Sequence, residues 1–345
     1  MELDFFKNNN NFEKIQNVKS ECLFGDETLL SQVDITICIP TYKREKTLKE
    51  AIDSALQQKY ASLSYCVIVV DNNTDKDNNT LKLIQTYTDK RILYFKNEKN
   101  LGMFNNWNRC FEIAKSRWVA LLHDDDFLKT DYIDYVNSLL PIIKKRNLSC
   151  LCFAFDRLYK DGRKNTLVKK EAKRIKSICK RLYSSFIHIF RRKGLTRITT
   201  PLVFLFGGNS FAIPSCGILF DREKLLKSGG FNEDFYPISD FVLLLYFMHK
   251  REVYFSHHSV GIYRWELNES LKTETRNKSL EGSKAYTIFL GKKHKILNTF
   301  FKVELMREKS SQLERKEFVP SRLLFVIRKL YDDIFLYSDA VRIYE

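Results

Sequence analysis

The chain has 345 residues, 44% of them hydrophobic, with a net charge of +16 and a pI near 9.3. That is length and apolar content enough for one large domain or two fused ones, so the protein is globular. It contains no G-x-G-x-x-G or G-x-x-x-x-G-K-[ST], which argues against a dinucleotide oxidoreductase and a P-loop NTPase, and no G-x-S-x-G or H-E-x-x-H. The basic balance implies an acidic partner: nucleic acid, an anionic membrane surface or a phosphorylated substrate.

Cysteines at 22, 38, 66, 110, 150, 152, 179 and 216 show no C-x-x-C spacing, and several lie in apolar runs. Free thiols in a reducing, cytosolic compartment fit that pattern. The first residues have neither the basic start nor the apolar core of a signal peptide. Residues 1–32 are polar and mixed and read as an N-terminal extension.

Asp34 to Ile39 is a β-branched run that Pro40 should stop, since proline removes a backbone donor. A loop follows, Pro40-Thr41-Tyr42-Lys43-Arg44. Leu48, Ala51, Ile52, Ala55 and Leu56 then recur at helical spacing. Tyr65 to Val70 predicts a buried strand ending in Asp71-Asn72-Asn73-Thr74-Asp75. Leu81, Ile84 and Tyr87 suggest a helix, Arg91 to Phe95 a strand and Asn97 to Gly102 a loop. Phe104, Trp107, Phe111 and Ala114 form the stripe of a third helix. Trp118 to Leu122 is a strand, and it delivers His123-Asp124-Asp125-Asp126.

Four strand and helix alternations at short spacing predict a parallel sheet covered by helices on both faces. Ligands of such sheets bind beyond the carboxyl ends of the strands, where Pro40 to Arg44, Asp71 and His123 to Asp126 all fall. Three adjacent carboxylates repel one another and resist desolvation, so they belong in water or around a divalent cation. Thr41, Tyr42 and Arg44 are suited to hold a nucleotide by aromatic contact and charge-assisted hydrogen bonds, and Asp71 to accept from a base imide. Plainer readings exist for each: a helix-capping acidic turn with Asp126 or Thr130 as N-cap, a solvent-facing loop, and an Asx turn at Asp71.

Ile37-Cys38-Ile39-Pro40-Thr41-Tyr42-Lys43-Arg44, Val69-Val70-Asp71-Asn72-Asn73-Thr74-Asp75, Asn100-Leu101-Gly102 and Leu122-His123-Asp124-Asp125-Asp126 together resemble the nucleotide-sugar half of a family 2 glycosyltransferase. The resemblance implies a GT-A fold: an α/β, Rossmann-like, mostly parallel sheet flanked by helices, here with a helical C-terminal extension. It places Pro40, Thr41, Tyr42, Arg44, Asp71, Asn100, Gly102, Asp124 and Asp125 around the nucleotide-sugar. It makes Asp126 the ligand of a Mn²⁺ or Mg²⁺ ion. Asn72 stands where the family usually has a second acidic residue.

Downstream, Ile133, Val136 and Leu140 mark a helix and Cys150 to Phe155 a strand. Residues 163–197 are crowded with Lys and Arg, either as a solvated helix face or as a basic surface for anionic lipid around Leu182, Phe186, Ile187 and Phe190. The uncharged run Ile198 to Phe220 is long enough to span a membrane, but its prolines and glycines predict strand and loop lining a cleft. Ser228-Gly229-Gly230-Phe231-Asn232-Glu233 followed by Ile238-Ser239-Asp240-Phe241 is similar to the family's G-G-F-[DN]-E loop and acidic catalytic pair, with Ser239 where Glu is common. The match makes Asp240 the general base, with Glu233 and Asp234 in reserve; an ordinary N-cap is the alternative at Asp240. His257 and His258 follow the strand Val253 to Phe255, one of them suited to a buried role and the other a further metal candidate.

The resulting division is an extension (1–32), a catalytic domain (33–270) and a helical region (271–345). The catalytic domain comprises a nucleotide-sugar half (33–127) and an acceptor half (128–270) with a basic insertion at about 160–200. The expected protein is an inverting, metal-dependent enzyme. It would use a nucleoside-diphosphate sugar, a UDP-sugar by preference, and an acceptor saccharide carried on a lipid diphosphate in O-antigen or capsule synthesis. Its place would be the cytoplasm, or peripherally the inner membrane face. Rival readings are a nucleic-acid or membrane-binding protein on an inactive scaffold, with nucleic acid the less favoured partner, and a nucleotidyltransferase.

Overall fold

The computed structural model describes residues 4, 5, 7–59, 62–75, 79–158, 164–166, 195–198, 216–264 and 272–293. Most of the basic segment 163–197, the uncharged run from 199 to 215, the stretch 265–271 and residues 294–345 of the expected helical region lie outside the described residues. Among the described residues no helix is long and apolar enough to cross a membrane.

The first half alternates as the periodicity requires. β1 (Ser20–Phe24) is followed by β2 (Ile35–Thr41), α1 (Glu45–Leu56), β3 (Tyr65–Asp71), α2 (Asn79–Ile84), β4 (Ile92–Asn97), α3 (Met103–Ile113) and β5 (Trp118–Leu121). β2, β3, β4 and β5 are parallel, with β2 between β3 and β5. The second half adds β6 (Phe127–Leu128), α4 (Tyr132–Lys145), β7 (Cys150–Leu158), β8 (Lys164–Thr166), β9 (Leu195–Ile198), β10 (Ile218–Asp221), α5 (Arg222–Lys227), α6 (Ser239–His249), β11 (Val253–Arg264) and α7 (Thr273–Lys293). One sheet runs through both halves in the order β1-β4-β3-β2-β5-β10-β7-β11-β6, with β8 on β7 and β9 on β11. β10 is antiparallel to both β5 and β7, so it stitches the two halves together.

Alternation along the strands sorts the core into two layers. Ile35, Ile37 and Ile39 of β2 pack with Leu48, Ala51 and Ile52 of α1 and with Ile133 and Val136 of α4. Cys38, Cys66 and Ile68 face the other way, toward Phe104 and Phe111 of α3 and Leu243 and Phe247 of α6. α6 is apolar nearly all round, as a helix buried between sheet and neighbours must be.

Two boundaries differ from the sequence reading. β2 continues through Pro40 to Thr41, in register with Val70 and Asp71. Pro40 lies beyond Cys38, the last β2 residue paired with β5, so its missing N–H breaks no bond on that side. The acidic turn does not cap α4 directly either: Asp131 is the N-cap position, and its side chain makes no capping bond.

Within residues 1–32, β1 pairs antiparallel with β4 and extends the sheet edge. Ahead of it, an arm reaches the other half of the chain. Asn8 Nδ2 donates to Gly230 O at 2.6 Å, Asn11 Nδ2 to Gly229 O at 3.0 Å, and Lys14 pairs with Asp234 at 2.8 Å. Phe5 sits among Phe235, Tyr286 and Phe289. A Cβ on Gly229 would lie 2.0 Å from Asn9 O, at a φ of +88°. Gly229→Ala is therefore expected to lose at least about 1–2 kcal/mol in urea denaturation. A variant as stable as the parent would mean that the arm is not seated there.

Candidate active site

Three strand ends meet at one edge of the sheet. Thr41, the last residue of β2, donates its hydroxyl to Asp124 Oδ2 at 2.8 Å. Arg44 Nη1 donates to Asp125 Oδ2 at 2.6 Å and lies 3.5 Å from Asp124 Oδ1, so one guanidinium serves two carboxylates. Lys43, between them, takes a left-handed φ of 54° and pairs with Asp75 at 2.7 Å. The turn leaves Tyr42 exposed at 47%, with the Lys43 ammonium 5.5 Å from its ring centroid, an aromatic ring suited to stacking on a planar group. An open cleft of about 340 Å³ is lined here by Lys43, Arg44, Glu45, Lys46, Thr47 and Asp125.

Asp71 ends β3 in the same row, fully buried. Its Oδ1 accepts from Asn73 N at 2.8 Å and its Oδ2 from the Tyr94 hydroxyl at 2.8 Å. Burial raises its pKa despite those bonds. In this structure the carboxylate thus holds its own turn, the Asx geometry of the plainer reading. Asn72 is equally internal. Its Nδ2 donates to Asn100 Oδ1 at 2.7 Å and Gly102 O at 3.1 Å, and its Oδ1 accepts from Leu101 N and Asn97 Nδ2. An amide can donate and accept at once, which an ionised carboxylate cannot, so Asn72 can shape the 100–102 loop from both sides.

The three aspartates are buried, with Asp124, Asp125 and Asp126 at 7%, 6% and 1% exposure. Of the two settings open to such a cluster, water or positive charge, burial leaves compensation by positive charge. Arg44 supplies part of it. Burial still pushes Asp124 up to about 7 and raises Asp126 well above the ordinary carboxylate range, with Asp125 adding repulsion. Asp126 Oδ1 accepts from Arg264 N at 3.0 Å. Its Oδ2 has no hydrogen-bond partner among the described residues and lies 3.8 Å from His123 Nδ1. Burial lowers the His123 pKa, favouring the neutral ring, which packs on Trp107 with centroids 4.7 Å apart.

An orphaned, buried carboxylate oxygen is what a cation site looks like before its ion is considered. Ligand atoms of His123, Asp125 and Asp126 lie within 4.8 Å of one another, so these residues fit a divalent metal. The sequence reading gave His123 no ligand role, although its place directly before the aspartates was the available signal. His258 instead bonds Asp131 at 2.8 Å and stacks on Tyr135 at 4.1 Å, outside that cluster. The side chain of His257 lies outside the described residues.

The second half contributes the loop from Gly229 to Asp240, braced against α3. Asn108 of α3, fully buried, donates to Phe231 O at 2.7 Å and accepts from Phe231 N at 2.8 Å. Phe231 packs on Phe104 and Trp107, the ring that also supports His123. Glu233 Oε2 accepts from Phe104 N at 3.0 Å, capping α3 where Gly102 turns with φ +82°. Asp234 is exposed and paired with Lys14. Ser239, where Glu was the commoner residue, is buried and accepts from Asn232 N at 2.7 Å. Asp240 is half-buried in the first turn of α6, accepting from Phe241 N at 2.8 Å. Burial pushes it up to about 6. Of the three acids, Glu233 caps a helix and Asp234 sits in an exposed ion pair. Asp240 alone bonds only to its own helix start among the described residues.

Comparison with known proteins agrees with this architecture. Residues 36–216 match the model of "Glycosyl transferase family 2". The GalNAc(5)-diNAcBac-PP-undecaprenol beta-1,3-glucosyltransferase of Campylobacter jejuni is 26% identical over 74% of this chain and 71% of its own. The UDP-Glc:alpha-D-GlcNAc-diphosphoundecaprenol beta-1,3-glucosyltransferase WfaP of Escherichia coli is 31% identical over 29% of this chain and 38% of its own. The chain spans 66% and 32% of the length of two further curated relatives. Among solved structures, S. aureus TarS 1-349 in complex with UDP-GlcNAc superposes with a TM-score of 0.50 at 14% identity, over 75% of this chain and 72% of that one. A family match over more than half the chain, on a GT-A sheet whose strand ends carry the motifs, settles the class: the chain belongs to glycosyltransferase family 2.

Proposed function

We propose that the chain is an inverting transferase. It moves a sugar from a nucleoside-diphosphate sugar, a UDP-sugar by preference, to a hydroxyl of a saccharide carried on a lipid diphosphate, in surface polysaccharide (O-antigen or capsule) synthesis. The observation that carries this reading is the buried carboxylate row Asp124 to Asp126 behind Arg44, at the strand ends that also present Tyr42. Tyr42 stacks on the base, and Thr41 and Arg44 hold Asp124 and Asp125 toward the donor; Asn100 and Gly102 shape the donor pocket.

Asp240 accepts the proton of the acceptor hydroxyl as its oxygen attacks the anomeric carbon. The bond from that carbon to the diphosphate breaks, and the nucleoside diphosphate leaves with the electron pair. A single base acting in one in-line displacement inverts the anomeric centre. Asp126 would hold a divalent ion, Mn²⁺ or Mg²⁺, whose charge would stabilise the leaving diphosphate. The named donor of the Escherichia coli relative supports a UDP-sugar, and both named relatives support an acceptor on a lipid diphosphate. The net charge of +16 supports attachment to an anionic inner membrane face from the cytoplasm.

The test is nucleoside diphosphate release from UDP-, GDP- and dTDP-sugars, with Mn²⁺ or Mg²⁺ and an undecaprenyl-diphosphate-linked saccharide. Release of UDP from one donor, lost on chelation, is expected. Absence of both turnover and donor binding across the panel would overturn the reading.

A further inference from the structure

The metal-competent cluster is of mixed chemistry. Asp126 is anchored through Oδ1 by Arg264 N at 3.0 Å, which turns the unpartnered Oδ2 toward His123 Nδ1, 3.8 Å away. Asp125 is likewise held through one oxygen by Arg44 at 2.6 Å. His123 is fixed by its packing on Trp107, and Trp107 is fixed in turn by Phe104 and Phe231. These anchors lie on β11, on the loop before α1 and on α3, so Asp125 and Asp126 are oriented by hydrogen bonds from outside the cluster, while His123 is oriented by packing and its buried Nε2 has no hydrogen-bond partner among the described residues.

We propose that His123 is a ligand of the donor-site metal, together with Asp125 and Asp126, and that its imidazole nitrogen makes the site prefer a first-row transition ion such as Mn²⁺ or Co²⁺ over Mg²⁺. Magnesium favours a near-ideal octahedron of oxygens and gives up water reluctantly, whereas imidazole favours transition ions and gains affinity along the series from Mn²⁺ to Co²⁺. An aspartate row alone would not discriminate in this way. The assignment rests on the proposed metal-dependent reading and gives that metal site its selectivity.

The experiment is binding of Mn²⁺, Co²⁺ and Mg²⁺ to the full chain with UDP present, read by calorimetry. It is joined by pulsed electron paramagnetic resonance of the Mn²⁺ form for coupling to a directly bound nitrogen. Wild type is expected to show nitrogen coupling and to hold Mn²⁺ about tenfold or more tighter than Mg²⁺. His123→Asn is expected to lose the coupling and about 10–100-fold of Mn²⁺ affinity, with Mg²⁺ affinity little changed. The nitrogen signal is read on the wild-type protein, so the test does not depend on a variant that folds. Ion binding that requires Asp126 but shows no nitrogen coupling, or an unaltered Mn²⁺ to Mg²⁺ ratio in His123→Asn, would overturn the His123 assignment alone. Failure of wild type to bind any of the three ions would overturn the metal-dependent reading, and this assignment with it.

Discussion

Asp240→Asn is expected to lower kcat by about 10²–10⁴-fold, the usual worth of a positioned general base, with donor affinity nearly unchanged. An amide is isosteric with the carboxylate and can still face the α6 start, but it cannot take the acceptor proton. The pH dependence gives a second, independent readout. Burial holds Asp240 at about 6, and only the ionised form is a base. Activity should therefore be full above that value and fall about tenfold per pH unit below it. That acidic limb should be missing from whatever activity the variant retains.

Stability moves in the opposite sense. The folded pKa lies above the unfolded one, so the folded state binds the proton more tightly, and this contribution is present at low pH and lost as pH rises through about 6. Removing the ionisable group should therefore leave the protein at least as stable at pH 7.5, which separates lost chemistry from lost folding. Wild-type turnover in Asp240→Asn, or an unchanged acidic limb, would move the base elsewhere.

The second large effect is expected from a residue remote from any proton. Asn108→Ala removes both partners of the Phe231 peptide, whose N–H and C=O are bonded at 2.8 and 2.7 Å inside the aromatic cluster. Each orphaned buried group costs about 1–3 kcal/mol, so urea denaturation should show a loss of several kcal/mol. Since Phe231 lies in the loop that leads to Asp240, kcat should fall along with stability, while binding of the nucleotide at the β2 and β5 ends should persist. A loss below about 1 kcal/mol would mean that water replaces the amide at both atoms.

Much of the first half was legible because its signals are local. Ile35 to Thr41 and Tyr65 to Asp71 are strands buried on both faces, and such strands are continuous apolar runs that end in polar turns. The row Thr41, Arg44, Asp124 and Asp125 was readable for the same reason, since residues at the ends of neighbouring parallel strands must be neighbours. What the sequence hid was set by tertiary context. Pro40 looks like a stop unless one knows that β5 pairing has already ended at Cys38. Asn72, Asn97, Asn106 and Asn108 look like polar helix and loop residues, yet they are buried and matched to one another or to backbone. Asp71 ends β3 as the apolar run requires, but its bonds to Asn73 and Tyr94, one on each oxygen, could not be read from the sequence. The arm from Asn8 to Lys14 carries no pattern at all, because its partners Gly229, Gly230 and Asp234 lie far along the chain, in the loop that leads to Asp240.

The position of β10 bears on how the protein comes into being. β5 spans Trp118–Leu121, and the neighbour that covers its free side, Ile218–Asp221, is made much later. On the ribosome, the first half can complete β2, β3, β4 and β5 by short-range crossovers while that apolar edge stands uncovered. An uncovered edge is a template for pairing with other chains. A chain made as far as β5 but not β10 therefore carries the strand ends of the first half beside an unpaired edge. That edge can be paired only once β10, the strand that joins the two halves of the sheet, has emerged.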